Sequence, residues 1–218
     1  MIYDIFKIGV YRVKLELDNK ELVNYAHNLE NIFKENPANK SNRGGFQTPS
    51  LPSDKTETSK IIKSNRGGFH SKDLTTYGIH NENSDNVKIL DNLIDNINPH
   101  VEKYAKVLGY DNTSLDNIWC NINYYKDFNE IHNHPGGKIS GVYYVKTPKN
   151  CGAINFYSPS FREVQQAKLG VNDNHYTSQT WWLPAIEGML YLFPSYIMHN
   201  VNPNLNENEE RISFSFNY

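Results

Sequence analysis

After Gly109 the chain becomes a succession of short runs rich in β-branched and aromatic residues. No other feature restricts its fold as strongly. The runs are SLDNIWCNINYY, KISGVYYVKT, GAINFYS, YTSQTWWLP, GMLYLFP, IMHNVNP and RISFSFNY, separated by turn-forming residues. Each is short for a core helix and long enough for one strand. Strands at this spacing build an all-β sandwich or barrel. The N-terminal half follows another period. Asp18 or Asn19 is placed to cap a helix whose apolar stripe is Leu22, Tyr25, Ala26, Leu29 and Phe33, ending before Pro37. A second helix, capped by Ser84, carries Val87, Leu90, Leu93, Ile94, Ile97, Val101, Tyr104 and Leu108 at helical spacing. Pro99 is a potential kink in it and Gly109 its stop. Residues 3–17 alternate as a strand does, and residues 36–83 are the least regular stretch. The expectation is one domain over 1–218, α+β but mainly β, with a helical and loop region at 1–112 and a double-sheet core at 113–218.

Charge narrows the partners. With 22 Lys and Arg against 24 Asp and Glu, the formal net charge is −2, and no basic block is present to track phosphates, so nucleic acid is not expected. No apolar run approaches membrane-spanning length, and the first residues carry early charges without a long apolar centre, so neither a membrane span nor a signal peptide is expected. Two cysteines, Cys120 and Cys151, are too few for a disulfide framework and suit a reducing cytoplasm.

The chemistry concentrates around IHNHPGG, Ile131–Gly137. On a strand, residues two apart face one way, so His132 and His134 would project together before Pro135 ends the strand. A third histidine, His199, lies in a later run, and distant strands of a double sheet are often neighbours. The pair alone fits a metal site or an ordinary surface pair among eight histidines; His27, His70, His80, His100 and His175 take no role. Arg211 and Ser213, also two apart, suit a small carboxylate if buried, or a surface ion pair of an edge-strand Arg with Glu209 or Glu210 if not. KSNRGGF occurs twice, at Lys40–Phe46 and Lys63–Phe69. It reads either as a duplicated glycine turn or as a mobile loop in which Gly67 and Gly68 let the backbone approach a ligand, with Arg43 or Arg66 as the contact.

Taken in order, IHNHPGGKISGVYYVKTP, CGAINFYSP, EGMLYLFPSYIMHNVNPN and RISFSFN resemble the 2-oxoglutarate- and Fe(II)-dependent oxygenases, in particular a group with an H-x-H-P…SGVYYV signature found in marine bacteria and their phages. The upstream SNRGGFHSKDL is similar to a Ser-Asn-x-Gly-Gly-aromatic segment of that group. The resemblance implies a double-stranded β-helix of jelly-roll or cupin-like form, with the N-terminal helices on one sheet. It implies Fe(II) at His132 and His199, and 2-oxoglutarate anchored by Arg211 with Ser213. By analogy with prolyl hydroxylases it adds Tyr144, with Asn123 and Tyr124 as weaker cosubstrate contacts. The expected reaction consumes O₂, releases succinate and CO₂, and hydroxylates a C–H bond of a peptide, protein or small molecule. The location would be the cytoplasm, the host's if the chain is of phage origin; a homodimer is left open.

The sequence departs from this pattern at one place. The wider superfamily holds iron with two histidines and a carboxylate, and here the carboxylate position is His134. His134 as third ligand is favoured, because its spacing is that of the triad; Glu130 or water are the alternatives. A halogenase, which needs a small residue there, is disfavoured. Two other functional readings remain: a three-histidine cupin-type dioxygenase without 2-oxoglutarate, and a non-enzymatic binding or structural module on the same barrel.

Overall fold

The computed structural model describes residues 8–33, 65–66, 69–70, 74, 85–160, 174 and 176–218. Helix α1 spans Asn19–Phe33 and helix α2 spans Asp85–Leu108. Asp18 caps α1: its Oδ1 accepts from the backbone N–H of Lys20 (3.0 Å) and Glu21 (3.4 Å). Leu22, Tyr25, Ala26 and Leu29 form its buried stripe; Leu90, Leu93, Ile97, Val101 and Tyr104 form that of α2. Pro99 lies inside α2 without ending it. Gly109, at φ +80°, closes it: its N–H donates to Lys106 O and Tyr110 N–H to Ala105 O, the paired bonds of a Schellman stop. The expected cap Ser84 and the side chains of Phe33 and Val87 lie outside the described residues.

Eleven strands are found in the described residues: β1 Tyr11–Lys14, β2 Asn65–Arg66, β3 Phe69–His70, β4 Asn117–Asn123, β5 Phe128–His132, β6 Ile139–Lys146, β7 Ala153–Tyr157, β8 Thr180–Pro184, β9 Met189–Pro194, β10 His199–Val201 and β11 Arg211–Asn217. They form two antiparallel sheets, one in the order β1-β9-β6-β11-β4-β3 and the other β2-β5-β10-β7-β8. All seven β-rich runs of the sequence contain strands. The second SNRGGF copy reaches both sheets, Arg66 pairing with Phe128 of β5 and Phe69 with Ile122 of β4. Gly67 and Gly68, between those pairs, and the first copy lie outside the described residues, as do most of 36–83 and residues 161–173.

Strand alternation divides the six-stranded sheet into two faces. Ile118, Cys120 and Ile122 of β4, Tyr143 and Val145 of β6, Leu190 and Leu192 of β9, and Ile212, Phe214 and Phe216 of β11 share one core with both helices. Val142, Tyr144, Tyr191 and Phe193 share the other with Ile154 and Phe156 of the second sheet. The helices therefore cover one face and the second sheet the other. Burying each large apolar side chain contributes about 1.5–3 kcal/mol. The inner face is mainly apolar on β6 and β9, with Ser140 the buried polar residue of β6. On β4 and β11 the alternate positions are Asn117, Trp119, Asn121 and Asn123, and Arg211, Ser213, Ser215 and Asn217. That polar ladder opens toward the second sheet. Among the described residues no helix is long and apolar enough to cross a membrane.

Candidate metal centre and anion pocket

His132 and His199 are cross-strand partners on β5 and β10, with ring centroids 4.2 Å apart. His134 joins them, at 5.1 Å from His132 and 5.2 Å from His199. One ligand atom from each lies within 4.8 Å of the other two. His134 arrives by a route the strand argument did not foresee. β5 ends at His132, and His134 lies in the following loop, where its N–H donates to Ser195 O (2.9 Å). The carboxylate of Glu130 is not part of this group; its backbone carbonyl accepts from His132.

The hydrogen bonds set which nitrogen faces inward. His132 Nδ1 lies 2.8 Å from Glu130 O, His199 Nδ1 2.9 Å from Ile197 O, and His134 Nδ1 2.6 Å from Asn217 Oδ1. A carbonyl oxygen only accepts, so each Nδ1 carries the proton and each Nε2 keeps its lone pair. Burial and the neighbouring His134 push His132 down to about 4, against a small opposing effect of Glu130 O. Burial also lowers His134, Asn217 opposing, and burial together with His132 and His134 holds His199 well below the ordinary imidazole range. Three neutral imidazoles with convergent lone pairs fit a divalent transition metal. They would leave its double positive charge undiminished. Phe193 packs edge-on to His199 at 4.8 Å, and Trp119 lies 5.7 Å from His134.

Arg211 is not an edge-strand residue. β11 lies between β4 and β6, Arg211 is 1% exposed, and the carboxylates of Glu209 and Glu210 go instead to Lys146. The guanidinium donates to the carbonyls of Cys151 and Asn202 and, over 3.0 Å, to Asn123 Oδ1. No carboxylate among the described residues pairs with it. Burial lowers its pKa, Tyr144, Cys151 and Asp127 opposing, yet an arginine stays charged. A buried cation that no carboxylate contacts directly, Asp127 acting on it only through space, is costly to bury and attracts an anion. Three more buried polar atoms lack a hydrogen-bond partner here: Tyr144 Oη, Asn123 Nδ2 and Asn121 Oδ1. Ser213, buried, faces Tyr144 across β11 and β6. The first two orphans include donors suited to a carboxylate. Asn202 is three residues beyond His199, roughly 10 Å of extended chain, which sets the scale of a ligand bridging both sites.

Tyr124, expected as a weaker cosubstrate contact, is elsewhere. The Tyr124 hydroxyl donates to Glu30 of α1. Tyr143 faces the helices and donates to Asn19. Trp181 and Trp182 are 45% and 64% exposed. Of Arg66 only the backbone is described. Asn217, Ser140, Ser195 and Trp119 were not singled out from sequence, although Asn217 has the same parity in RISFSFN as Arg211 and Ser213, which was the available signal.

Residues 117–217 match the family described as "Putative 2OG-Fe(II) oxygenase". A comparison with curated protein sequences finds no match. Among solved structures, the chain is similar to a prolyl hydroxylase from Trichoplax adhaerens in complex with a hypoxia-inducible-factor oxygen degradation domain peptide (14% identity, 96% of this chain and 77% of that one, TM-score 0.60). It is similar to the epimerase SnoN from nogalamycin biosynthesis in complex with Fe³⁺, α-ketoglutarate and nogalamycin RO (14%, 96% and 78%, TM-score 0.55). A Pseudomonas putida prolyl-4-hydroxylase shares the fold at 13% identity, 96% and 91% coverage and TM-score 0.51.

Proposed function

We propose that the chain, whose residues 117–217 match the 2OG-Fe(II) oxygenase family, hydroxylates a C–H bond of a peptide, protein or small molecule, with Fe(II) on His132, His134 and His199. The two facing sheets are read as a double-stranded β-helix, within one domain that includes the helices sharing its core. When bound, iron with 2-oxoglutarate and O₂ supplies an oxidant able to attack a C–H bond, with succinate and CO₂ released.

The chain's own residues bind, orient and shield. The three histidines present neutral Nε2 donors at neutral pH. Arg211 takes the distal carboxylate of 2-oxoglutarate. Tyr144 donates its otherwise unpartnered hydroxyl to the same group, Ser213 assists, and Asn123 both steadies the guanidinium and offers its free amide N–H. Phe193 and Phe156 close the apolar side of His199 against water. Arg66, Gly67 and Gly68, on the segment that reaches both sheets, are proposed substrate contacts.

The single observation that carries this reading is the buried Arg211, with no carboxylate among the described residues hydrogen-bonded to it, beside donors that lack acceptors. It also favours 2-oxoglutarate use over a cupin-type dioxygenase, which has no need of such a cation. The test is an anaerobic titration with Fe(II) and then 2-oxoglutarate, followed by the visible charge-transfer absorption of the chelate. Absorption that appears in the native protein and not in Arg211→Ala is expected. Iron binding without the band would favour the cupin-type reading, and no iron binding would sink the metal assignment.

A further inference from the structure

We infer that Asn217 is the positioning residue that makes His134 a metal ligand; this rests on the three-histidine reading proposed above. The three histidines are not held alike. His132 and His199 each donate Nδ1–H to the carbonyl of the residue two before them, so their tautomers are fixed by local backbone. His134 has no such carbonyl. It donates to a side chain 83 residues away, Asn217 Oδ1 on β11.

The Asn217 amide is itself locked. Oδ1 accepts from His134 Nδ1 (2.6 Å) and Ser140 Oγ (2.7 Å), while Nδ2 donates to Asn117 Oδ1 (2.8 Å). The Ser140 and Ser195 hydroxyls lie 2.8 Å apart, both fully buried. Ser195 also accepts the His134 backbone N–H through its carbonyl. Ring and backbone of His134 are therefore tied to one network, part-buried at Asn117 and Asn217 and fully buried at the two serines. Turning the amide over would set Nδ2 against the imidazole and Oδ1 against Asn117 Oδ1, losing both bonds. The locked orientation forces the proton onto His134 Nδ1 and directs the Nε2 lone pair toward His132 and His199. The acceptor is a neutral amide, so the imidazole is oriented without gaining the extra negative charge that a carboxylate partner would bring.

One strand thus carries both ends of the site: Arg211 at its start and Asn217 at its finish share the inner face of β11. A shift of this strand would move the anion pocket and the third ligand together.

The test measures Fe(II) affinity under anaerobic conditions, and the visible spectrum of the Co(II)-loaded protein as a report on ligand geometry. Asn217→Ala is expected to weaken Fe(II) binding about 10–100-fold and alter the Co(II) bands, the range for losing a partner behind a metal-bound histidine. Asn217→Asp, which keeps an oxygen acceptor, is expected to restore affinity. In a His134→Ala background, Asn217→Ala should cost nothing further. If Asn217→Ala fails to fold, Asn117→Ala, which only unlocks the amide, is expected to give a smaller loss of the same kind. Unchanged affinity and spectrum in Asn217→Ala, with His134→Ala clearly impaired, would overturn this inference alone. Unchanged affinity in His134→Ala would remove the three-histidine reading itself. An equal loss from Asn217→Ala with and without His134 would show a general structural role and overturn the inference as well.

Discussion

Arg211 and Asn123 are direct partners across β11 and β4, and the guanidinium donates to Asn123 Oδ1 over 3.0 Å while Asn123 Nδ2 is left without an acceptor. The pair presents donors and a full positive charge, and no carboxylate among the described residues is hydrogen-bonded to it; Asp127 acts on it only through space. Arg211→Ala should weaken 2-oxoglutarate binding by about 3 kcal/mol, more than a hundredfold. Arg211→Lys should fall between, because a lysine keeps the charge but cannot reach three acceptors in one plane. Calorimetric titration of the anaerobic Fe(II) protein checks this. Equal affinities in the native protein and Arg211→Ala would move the anchor elsewhere.

Tyr144 extends the argument to stability. Its hydroxyl is fully buried without a partner, and burial pushes its pKa up despite the nearby Arg211. An unsatisfied buried hydroxyl costs about 1–3 kcal/mol. Tyr144→Phe should therefore raise the melting temperature of the metal-free protein while weakening 2-oxoglutarate binding. A stability–function trade of this sign marks a group held ready for a ligand. A variant destabilised with unchanged 2-oxoglutarate affinity would show that the hydroxyl serves the fold.

Much of this was legible because strand alternation writes each face into the sequence. In RISFSFN the apolar residues Ile212, Phe214 and Phe216 face the helices, and Arg211, Ser213, Ser215 and Asn217 face the second sheet. NIWCNIN repeats the pattern on β4. The histidine pair was found for a partly mistaken reason. Period two places His132 and His134 on one face of a strand, but the strand ends at His132, and His134 is turned inward by Ser195 and Asn217. Those contacts join residues over sixty positions apart, and no local period encodes them. Nor could spacing show that Arg211 would be buried between two strands rather than paired with Glu210. Pro99, a potential kink, lies inside α2, which continues through it, packed along an apolar stripe.

Gly141 separates packing from chemistry. It lies in β6 on the helix-facing side, and a Cβ there would run into the Phe216 ring at Cε2 and Cζ and meet Leu192 Cδ2 at 2.8 Å. These are ring and branched side chains inside a filled core. Gly141→Ala should cost about 1–3 kcal/mol from overpacking. Chemical denaturation checks it. An unchanged midpoint would mean that Phe216 moves aside freely.

The histidines predict how the metal-free protein responds to acid. All three have folded pKa values below the unfolded value near 6.5, His132 at about 4. The fold favours their neutral forms, so their contribution is complete above about pH 6.5. It is lost as pH falls toward 4, where the unfolded chain takes up protons that the fold refuses. For His132 the span corresponds to something on the order of 3 kcal/mol. The melting temperature in chelator should drop between about pH 6.5 and 4.5, and less steeply in His132→Gln. Parallel curves would mean that other groups govern the acid response.

His134→Asp places a carboxylate where the wider superfamily has one and tests what a third histidine does for the site. With His134 as third ligand a bound metal would keep its full charge, which would strengthen its attraction for the 2-oxoglutarate dianion. In the variant, the introduced carboxylate cancels one charge at a distance of a few ångströms, where a unit charge pair is worth up to about 4 kcal/mol in a partly screened site. The substitution should therefore tighten Fe(II) binding and loosen 2-oxoglutarate binding, moving the two affinities in opposite directions. The Asn217 amide must then turn over to offer Nδ2 to the new carboxylate, at the expense of its bond to Asn117 Oδ1, which reduces the gain in metal affinity. Paired titrations of Fe(II), and of 2-oxoglutarate onto the Fe(II) protein, read both changes. Affinities that rise or fall together would mean that access or folding, rather than metal charge, distinguishes the two sites.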